Sequence, residues 1–590
     1  MVKRSAFFLL VSAAMVTASV VPIGAAAGAG SGDRLVTVGS PRSPFSQNKQ
    51  NEPAMAVDAN HPNVMVAGSN DQIDEEACNA GPDTDCPFTP GVGVSGVYFS
   101  FNHGASWTQP TYQGLTARNC LGKPGNNDPL CQPEVGSIGT LPNYYENGLV
   151  SDGDPGLAFG PVPDSHGNFS WSNGSRLYYA NLTSNLPGKS TFKGSEAVAV
   201  SRTDDVQAAA AGKNDAWMAP VITSRQTATT FSDKDQIWAD NAASSKFFGN
   251  VYVCVGDFEG SGNGSTLSLE VDRSTNGGDT WTHKRVTKLY GPSEAGVSGC
   301  TVRTDSHGVV YVFVDEFGLG QPGQGHHLMI KSTDGGRTWS KPVSIGLAVD
   351  TCFVVQFDGT SGRCVEDGIA GARDDLSSAP SVDIANGAPS GTDATNEIVR
   401  TWVDGRRGLA HPPVFTSYST DNGSTWSAPM AAQSPGDRGY YSAIAISPDG
   451  TDAYLVYNAF TTPFRRNTTS PRGLVGVMKH ANITGGKLGA WTTLHRGQVG
   501  DPRSSAQNNL VLEFLGDYVY AAATRTYGAA VWNDTRNGAD CPAIDRWRAA
   551  YQKAVKKGTP LPTPPAPEQA CPANFGNSDI YGAAFPDPTP

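Results

Sequence analysis

The residues best equipped for chemistry in this chain stand at the ends of short apolar runs. Two such ends match each other, "WVDGR" at residues 402–406 and "WNDTR" at residues 532–536. Each sets an Asp two residues before an Arg: Asp404 with Arg406, and Asp534 with Arg536. A guanidinium offers planar, paired donors that suit a carboxylate. The pairs therefore read either as an oriented anion-binding set or as loop-capping ion pairs copied by duplication. Other run ends carry Glu52, Asp71, Arg303, Tyr441 and Tyr518, which add carboxyl groups and phenols suited to proton transfer or nucleophilic attack. The acidic turns "DGDP" (152–155) and "DKDQIWAD" (233–240) could supply oxygen ligands to calcium, although neither follows the twelve-residue calcium loop. There is no His-Glu-x-x-His, Cys-x-x-Cys, nucleophile-elbow Ser or phosphate-cradling Gly loop. No metal site is assigned on this basis, and no cofactor is required.

The elements that must position these residues are announced by a repeated turn. "STDGGRTW" (332–339) and "STDNGSTW" (419–426) are near copies, with "STNGGDTW" (274–281) and "SFNHGASW" (100–107) as looser versions. Each turn closes a segment of two apolar runs, as in "CTVRTDSHGVVYVFVDEF" followed by "HLMIKSTDGGRTW". Three further segments follow the plan without a clean turn: "DPGLAFGPVPDSHGNFSWSNGSRLYYANL", "YYSAIAISPDGTDAYLVYNAF" and "GDYVYAAATRTYGAAVWNDTR". Short strands repeated at intervals of tens of residues predict an all-β propeller of four-stranded blades. The count is seven units, or six if one is absorbed in closing the ring. In the turn, a short polar third residue bonds local backbone, and the fifth-position Gly accepts a positive φ. The terminal Trp packs between sheets. The conspicuous motif is thus scaffold, and the chemistry belongs at the opposite mouth, where innermost strands begin and second strands end.

Bulk properties frame the molecule. Residues 1–27 have the layout of a secretory signal peptide, residues 28–45 read as a flexible N-terminal segment, and 46–590 as the propeller. "DRWRAAYQKAVKKG" (545–558) spaces Trp547, Ala550, Tyr551, Ala554 and Val555 helically and stops at Gly558. It marks a helical, Pro-rich insertion at about 540–572. The ten cysteines of an exported chain suggest disulfides, and neighbour pairing gives five short loops, one of them Cys541–Cys571. A net charge of −12 with no basic stripe makes nucleic acid a poor partner. A secreted monomer with no membrane span is expected.

Four such turns in an exported all-β chain resemble the sialidases and their bacterial-neuraminidase-repeat (Asp-box) relatives, whose own propellers have six blades. The resemblance implies glycoside hydrolysis of sialic-acid-like or other acidic glycans. In that family three arginines clamp the sugar carboxylate, a Tyr polarised by a Glu is the nucleophile, and an Asp is the acid/base. Placed on this sequence, those roles fall to Arg303, Arg406 and Arg536, flanked by Asp404 and Asp534, to Tyr441 in "GYYSAI" or Tyr518 in "GDY", to Glu52 and to Asp71. The Phe/Tyr-Arg-Ile-Pro motif that carries the family's first arginine is missing. A non-catalytic propeller that binds glycan or protein, and hydrolysis of an uncharged glycan by two carboxylates, are the alternatives.

Overall fold

The computed structural model describes residues 32–78, 86, 88–120, 131–260, 265–291, 294, 296–318, 323–351, 367, 373–511 and 513–589. The expected signal peptide and the Cys352–Cys364 pair lie outside them. Seven antiparallel sheets stand around one axis. Their innermost strands are Gln50–Val57, Gly156–Pro163, Thr230–Ala239, Gly296–Thr304, Ser381–Ile384, Arg438–Ile446 and Tyr520–Ala523. Each packs against the next, and the last returns to the first. We number the blades 1 to 7 in that order.

The strands are apolar on both faces because both faces are covered. Val251–Glu259, second strand of blade 3, is buried at its first seven positions. Its two faces feed two different cores, one shared with blade 2 and one with blade 4. The Trp-ended turns follow third strands. A third strand runs parallel to the first, so these turns lie at the end of the ring opposite the innermost-strand starts. In each turn the first Ser accepts the amide of the fifth-position Gly, at 2.8 Å for Gly336 and 2.9 Å for Gly104, Gly278 and Gly423. Those glycines have φ between +74° and +88°. The third-position side chain accepts the amide at the seventh position (Thr338 to Asp334, 2.9 Å; Thr425 to Asp421, 2.8 Å). Trp107, Trp281, Trp339 and Trp426 then each join a core between consecutive blades.

The ring closes with strands from both ends of the chain. Blade 7 comprises Tyr520–Ala523, Tyr527–Asp534, Asp579–Pro586 and, outermost, Arg34–Leu35. Residues 32–45 are therefore not a flexible leader. Val36 donates its amide to Ile580 and is fully buried, and Ser40 bonds Asp71. The propeller begins before residue 46. Between the second and third strands of blade 7, the helix Pro542–Lys557 buries Ile544, Trp547 and Tyr551 against Phe45, Leu510 and Phe575. Gly558 ends it at φ +61°, and Cys541–Cys571 ties off the insertion. Cys78–Cys86 and Cys120–Cys131 close short loops, whereas Cys254–Cys300 links blade 3 to blade 4. No helix among the described residues is long and apolar enough to cross a membrane.

Because Trp426 pins neighbouring blades while only partly buried, Trp426→Ala is expected to cost about 2 kcal/mol. Chemical denaturation should show a lower midpoint with an unchanged m-value.

Candidate functional site

Where the innermost strands begin, their pairing with the second strand breaks. The register shifts between Asn51 and Ala54, between Asp233 and Gln236, between Ser298 and Thr301, and between Gly439 and Ser442. Inside these bulges Glu52 (φ +56°), Lys234 (+59°) and Gly299 (+65°) are left-handed, as is Asp154 (+52°) just before the blade 2 strand. A left-handed backbone costs a non-glycine residue about 1–3 kcal/mol, and such residues concentrate at functional sites. Bulges re-aim side chains. Here they turn Glu52, Asp154 and Lys234 towards one another across the axis.

The Lys234 ammonium is the centre of the resulting cluster. It lies 2.7 Å from Asp517 Oδ2, 3.1 Å from Asp154 Oδ2, 3.7 Å from Asp233 Oδ1 and 3.8 Å from Glu52 Oε1. Glu52 also accepts the amide of Asp517 at 3.0 Å and Asn70 Nδ2 at 2.5 Å. Arg373 approaches from the other side, 3.3 Å from Asp517 and 3.1 Å from Asp375, with its guanidinium over the Phe514 ring. Tyr441 donates to Asp517 Oδ1 (3.3 Å) or the Arg373 carbonyl (2.9 Å). Asp517 and Glu52 are buried, while the side chains of Asp154, Lys234 and Asp233 are 10%, 13% and 25% exposed. The cluster thus opens to solvent through Asp233.

The local field follows from this geometry. Burial works against the charge on Lys234, yet Asp154, Asp233, Asp517 and Glu52 together hold its pKa well above the ordinary lysine range. Burial pushes Glu52 well up, reinforced by Asp154 and opposed by Lys234. Asp233 rises to about 6 through burial, moderated by Lys234. Outward of these, burial and then the neighbouring Asp152 carry Glu196 to about 9, while Asp152 itself is raised by burial to about 6. Asp235 faces a cavity of about 80 Å³ beneath the cluster, lined also by Tyr441, Asp517 and Tyr518. Both of its carboxyl oxygens are buried without a hydrogen-bond partner. Burial, with Asp154 and Asp233 adding, raises it well above the usual carboxylate range. The mouth is rich in carboxyl groups, and burial raises the pKa of Glu52, Asp152, Glu196, Asp233 and Asp235.

Of the residues singled out from the sequence, Glu52, Tyr441 and Tyr518 are brought together here. Tyr441 is fully buried, and burial pushes its phenol well above the ordinary range. Tyr518 is raised by burial and then by Asp154 and Glu52. The other candidates are elsewhere. Arg303 lies near the far end of its strand, bonded to Asp383 (3.0 Å) and Gln236 (2.8 Å) and stacked on Trp238. It lines a second axial cavity of about 340 Å³ towards the opposite end of the ring.

Arg406 forks onto Asp404 (2.6 and 2.7 Å) and reaches the Leu347 carbonyl on the outer strand of blade 4. Arg536 forks onto Asp534 (2.9 and 2.7 Å) and bonds Asp33 beside the outermost strand of blade 7. In both motifs the Asp also accepts the Arg amide and the indole N–H of the Trp two residues earlier. Asp501 and Arg503 repeat the fork without the Trp. These are loop-capping ion pairs, and the three arginines form no common clamp. Asp71 is likewise enclosed, accepting from Ser40, Tyr98, Gln109, Gln50 and the Ile73 amide. That leaves it placed for structure and not for proton transfer at the axis.

Sequence reasoning passed over Lys234, Arg373 and Glu196 as site residues. Strict alternation sets Lys234 on the face opposite Asp233 and Asp235, and only the bulge undoes that alternation. Arg373 sits in "GARDDLSS", where no strand pattern points to it. Of the two turns offered as calcium ligands, Asp240 is bound to Ser245 at the far end of its strand. Asp154 and Asp233 surround the Lys234 ammonium instead.

The architecture compares with solved propeller hydrolases. A Hadza microbial sialidase is 12% identical, with 69% of this chain and 63% of that one aligned and a TM-score of 0.38. The Ruminococcus gnavus intramolecular trans-sialidase is 12% identical over 72% of this chain and 94% of its own, at 0.40. A Fusarium graminearum α-L-arabinofuranosidase is 12% identical over 75% and 94%, at 0.35. The likeness is one of fold. The chain spans less than two thirds of the Hadza enzyme. No protein-family model matches this chain, and neither does any curated protein sequence.

Removing the central cation leaves buried carboxylates uncompensated, so Lys234→Met is expected to destabilise by about 3–5 kcal/mol at pH 8. Glu52 and Asp233, already raised in the folded state by burial, rise further in the variant. Their penalty is full above the folded pKa of the variant and is relieved as pH falls from 8 to 5. Thermal melts of both proteins at pH 8 and pH 5 check this. The gap should be narrower at pH 5.

Proposed function

We propose that this protein is an exported glycoside hydrolase that works on an uncharged glycan at the axial mouth, using carboxyl groups for acid and base. The observation that carries this reading is the sign of the mouth. Glu52, Asp154, Asp233 and Asp517 surround Lys234, Asp152 and Glu196 lie beside them, and Arg373 is engaged by Asp517 and Asp375. An anionic sugar brought there meets carboxyl groups, and among the described residues Arg303, Arg406 and Arg536 do not converge on it. The expectation of an acidic glycan rested on Arg303, Arg406 and Arg536 meeting, and they are dispersed. Export accords with the disulfides at Cys78, Cys120, Cys254 and Cys541.

Within the cluster, Glu196 supports the role of general acid. With a pKa near 9 it keeps a proton at neutral pH, and it is only partly buried. Asp233, near 6 and the most exposed of the carboxyls around Lys234, supports the role of the ionised partner. Two carboxyl groups whose environments separate their pKa values are what glycoside cleavage uses. A second reading, a non-catalytic glycan-binding propeller, is favoured by one feature: Lys234 already neutralises the central carboxylates that a substrate would meet.

A panel of aryl glycosides of neutral sugars, with an aryl sialoside beside them, tests the proposal. Turnover of a neutral glycoside is expected, with kcat lowered about 10²- to 10⁴-fold in Glu196→Gln and in Asp233→Asn. Turnover confined to the sialoside would refute it. No turnover at all, with retained binding on a glycan array, would favour the binding module.

A further inference from the structure

Away from the axis, a second cluster of ligand-type side chains joins blade 6 to the end of the chain. Asp452 begins the second strand of blade 6 (Asp452–Phe460), and His480 lies on its third strand (Leu474–Thr484). Asp587 follows Asp579–Pro586, the last strand of the chain. His480 Nε2 is 2.7 Å from Asp452 Oδ1 and 3.9 Å from Asp587 Oδ1. One ligand atom from each residue lies within 4.8 Å of the other two. The three side chains are 3%, 6% and 9% exposed. An imidazole nitrogen and two carboxylate oxygens this close, and this far from water, form the mixed nitrogen and oxygen set that zinc accepts in tetrahedral sites.

An independent feature points the same way. The Tyr454 hydroxyl is buried without a hydrogen-bond partner. Tyr454 is the register partner of His480, with ring centroids 5.2 Å apart, and its phenol lies in the field of Asp452 and Asp587. An unsatisfied buried hydroxyl is costly, and beside three ligand atoms it is placed to bond a metal-bound water. The ligands are also held. Thr451 donates to Asp452 Oδ2 at 2.6 Å, leaving Oδ1 to face the imidazole. The tail carrying Asp587 is fixed by the Asp587 N–H donating to the Thr526 carbonyl and by the Thr589 hydroxyl donating to Asn482.

We propose that Asp452, His480 and Asp587 bind one zinc-type divalent cation, with water in the fourth position, and that the cation ties the C-terminal tail to blade 6 beside the ring closure. The cation takes the place of the hydrogen between His480 Nε2 and Asp452 Oδ1, with the neutral imidazole carrying its ring proton on Nδ1, and draws Asp587 in. Sequence spacing hides the set because its members are 28 and 107 residues apart.

The test uses the untagged full chain, stripped with chelator and dialysed. Titration calorimetry with zinc chloride and elemental analysis should give one zinc per chain, with a rise of several degrees in Tm. Asp587→Asn and His480→Gln should each weaken binding at least tenfold and remove the Tm rise. Asp587 lies in the tail, so its variant keeps the fold, checked by circular dichroism, even if the His480 change does not. Absence of stoichiometric zinc in the wild type, or an undiminished affinity and Tm rise in Asp587→Asn, overturns the proposal.

Discussion

A twisted sheet with apolar side chains on both faces has no stable way to stand alone in water, and every blade of this protein is such a sheet. Covering both faces of every sheet at once requires a closed ring. From that requirement follow the alternating cores between blades, the use of Arg34–Leu35 to finish the sheet begun at Tyr520, and the existence of an axis. The axis in turn dictates where chemistry can gather. Seven innermost strands start around one opening, so side chains from residue 52 to residue 518 meet although most of the chain separates them.

What meets there is governed by the balance between desolvation and pairing. Carboxylates crowded into a partly buried space repel one another, and two responses are visible. Some, such as Asp154 and Asp517, pair with Lys234 or Arg373, while others, such as Glu196 and Asp235, are raised in pKa by burial. A mouth with both kinds side by side is suited to proton transfer and ill suited to capturing an anion. The strained backbone at Glu52, Asp154 and Lys234 is offset by the ion pairs that it makes possible.

Repetition separates scaffold from site. The Trp-ended turns recur with the same Ser-to-Gly bond, and the Asp-x-Arg fork recurs at Asp404, Asp501 and Asp534. Each solves a local problem, a tight reversal or a strand end with unsatisfied amides, that arises in more than one blade. A left-handed residue also recurs at the innermost-strand starts, but its identity does not: Glu52, Asp154, Lys234 and Gly299 hold that position in blades 1 to 4. Variation at a repeated backbone position, and not the repeated motif itself, marks the mouth.

Much of the fold was legible from residue pattern because its causes are local. Apolar runs at regular spacing specify strands, Gly at the fifth turn position specifies reversals, and helical spacing from Asp545 to Gly558 specifies the inserted helix. The seven units and the face opposite the turns follow from those local rules. Glu52, Tyr441 and Tyr518 were placed at the axial mouth the same way, as residues at strand starts. Arg406, Arg536 and Asp71 were misplaced because sequence gives position along a strand but not distance from the axis. Whether a strand-end side chain turns inward or caps its own loop is settled by partners such as Leu347, Asp33 and Ser40 in other segments. Lys234 was hidden by a bulge that reverses alternation, and the bulge depends on what the neighbouring blade offers. By itself, then, the sequence determined the sheets and their order around the ring. Tertiary structure alone decided which charges would share the axis, because their pairing energy depends on distances that no local pattern encodes.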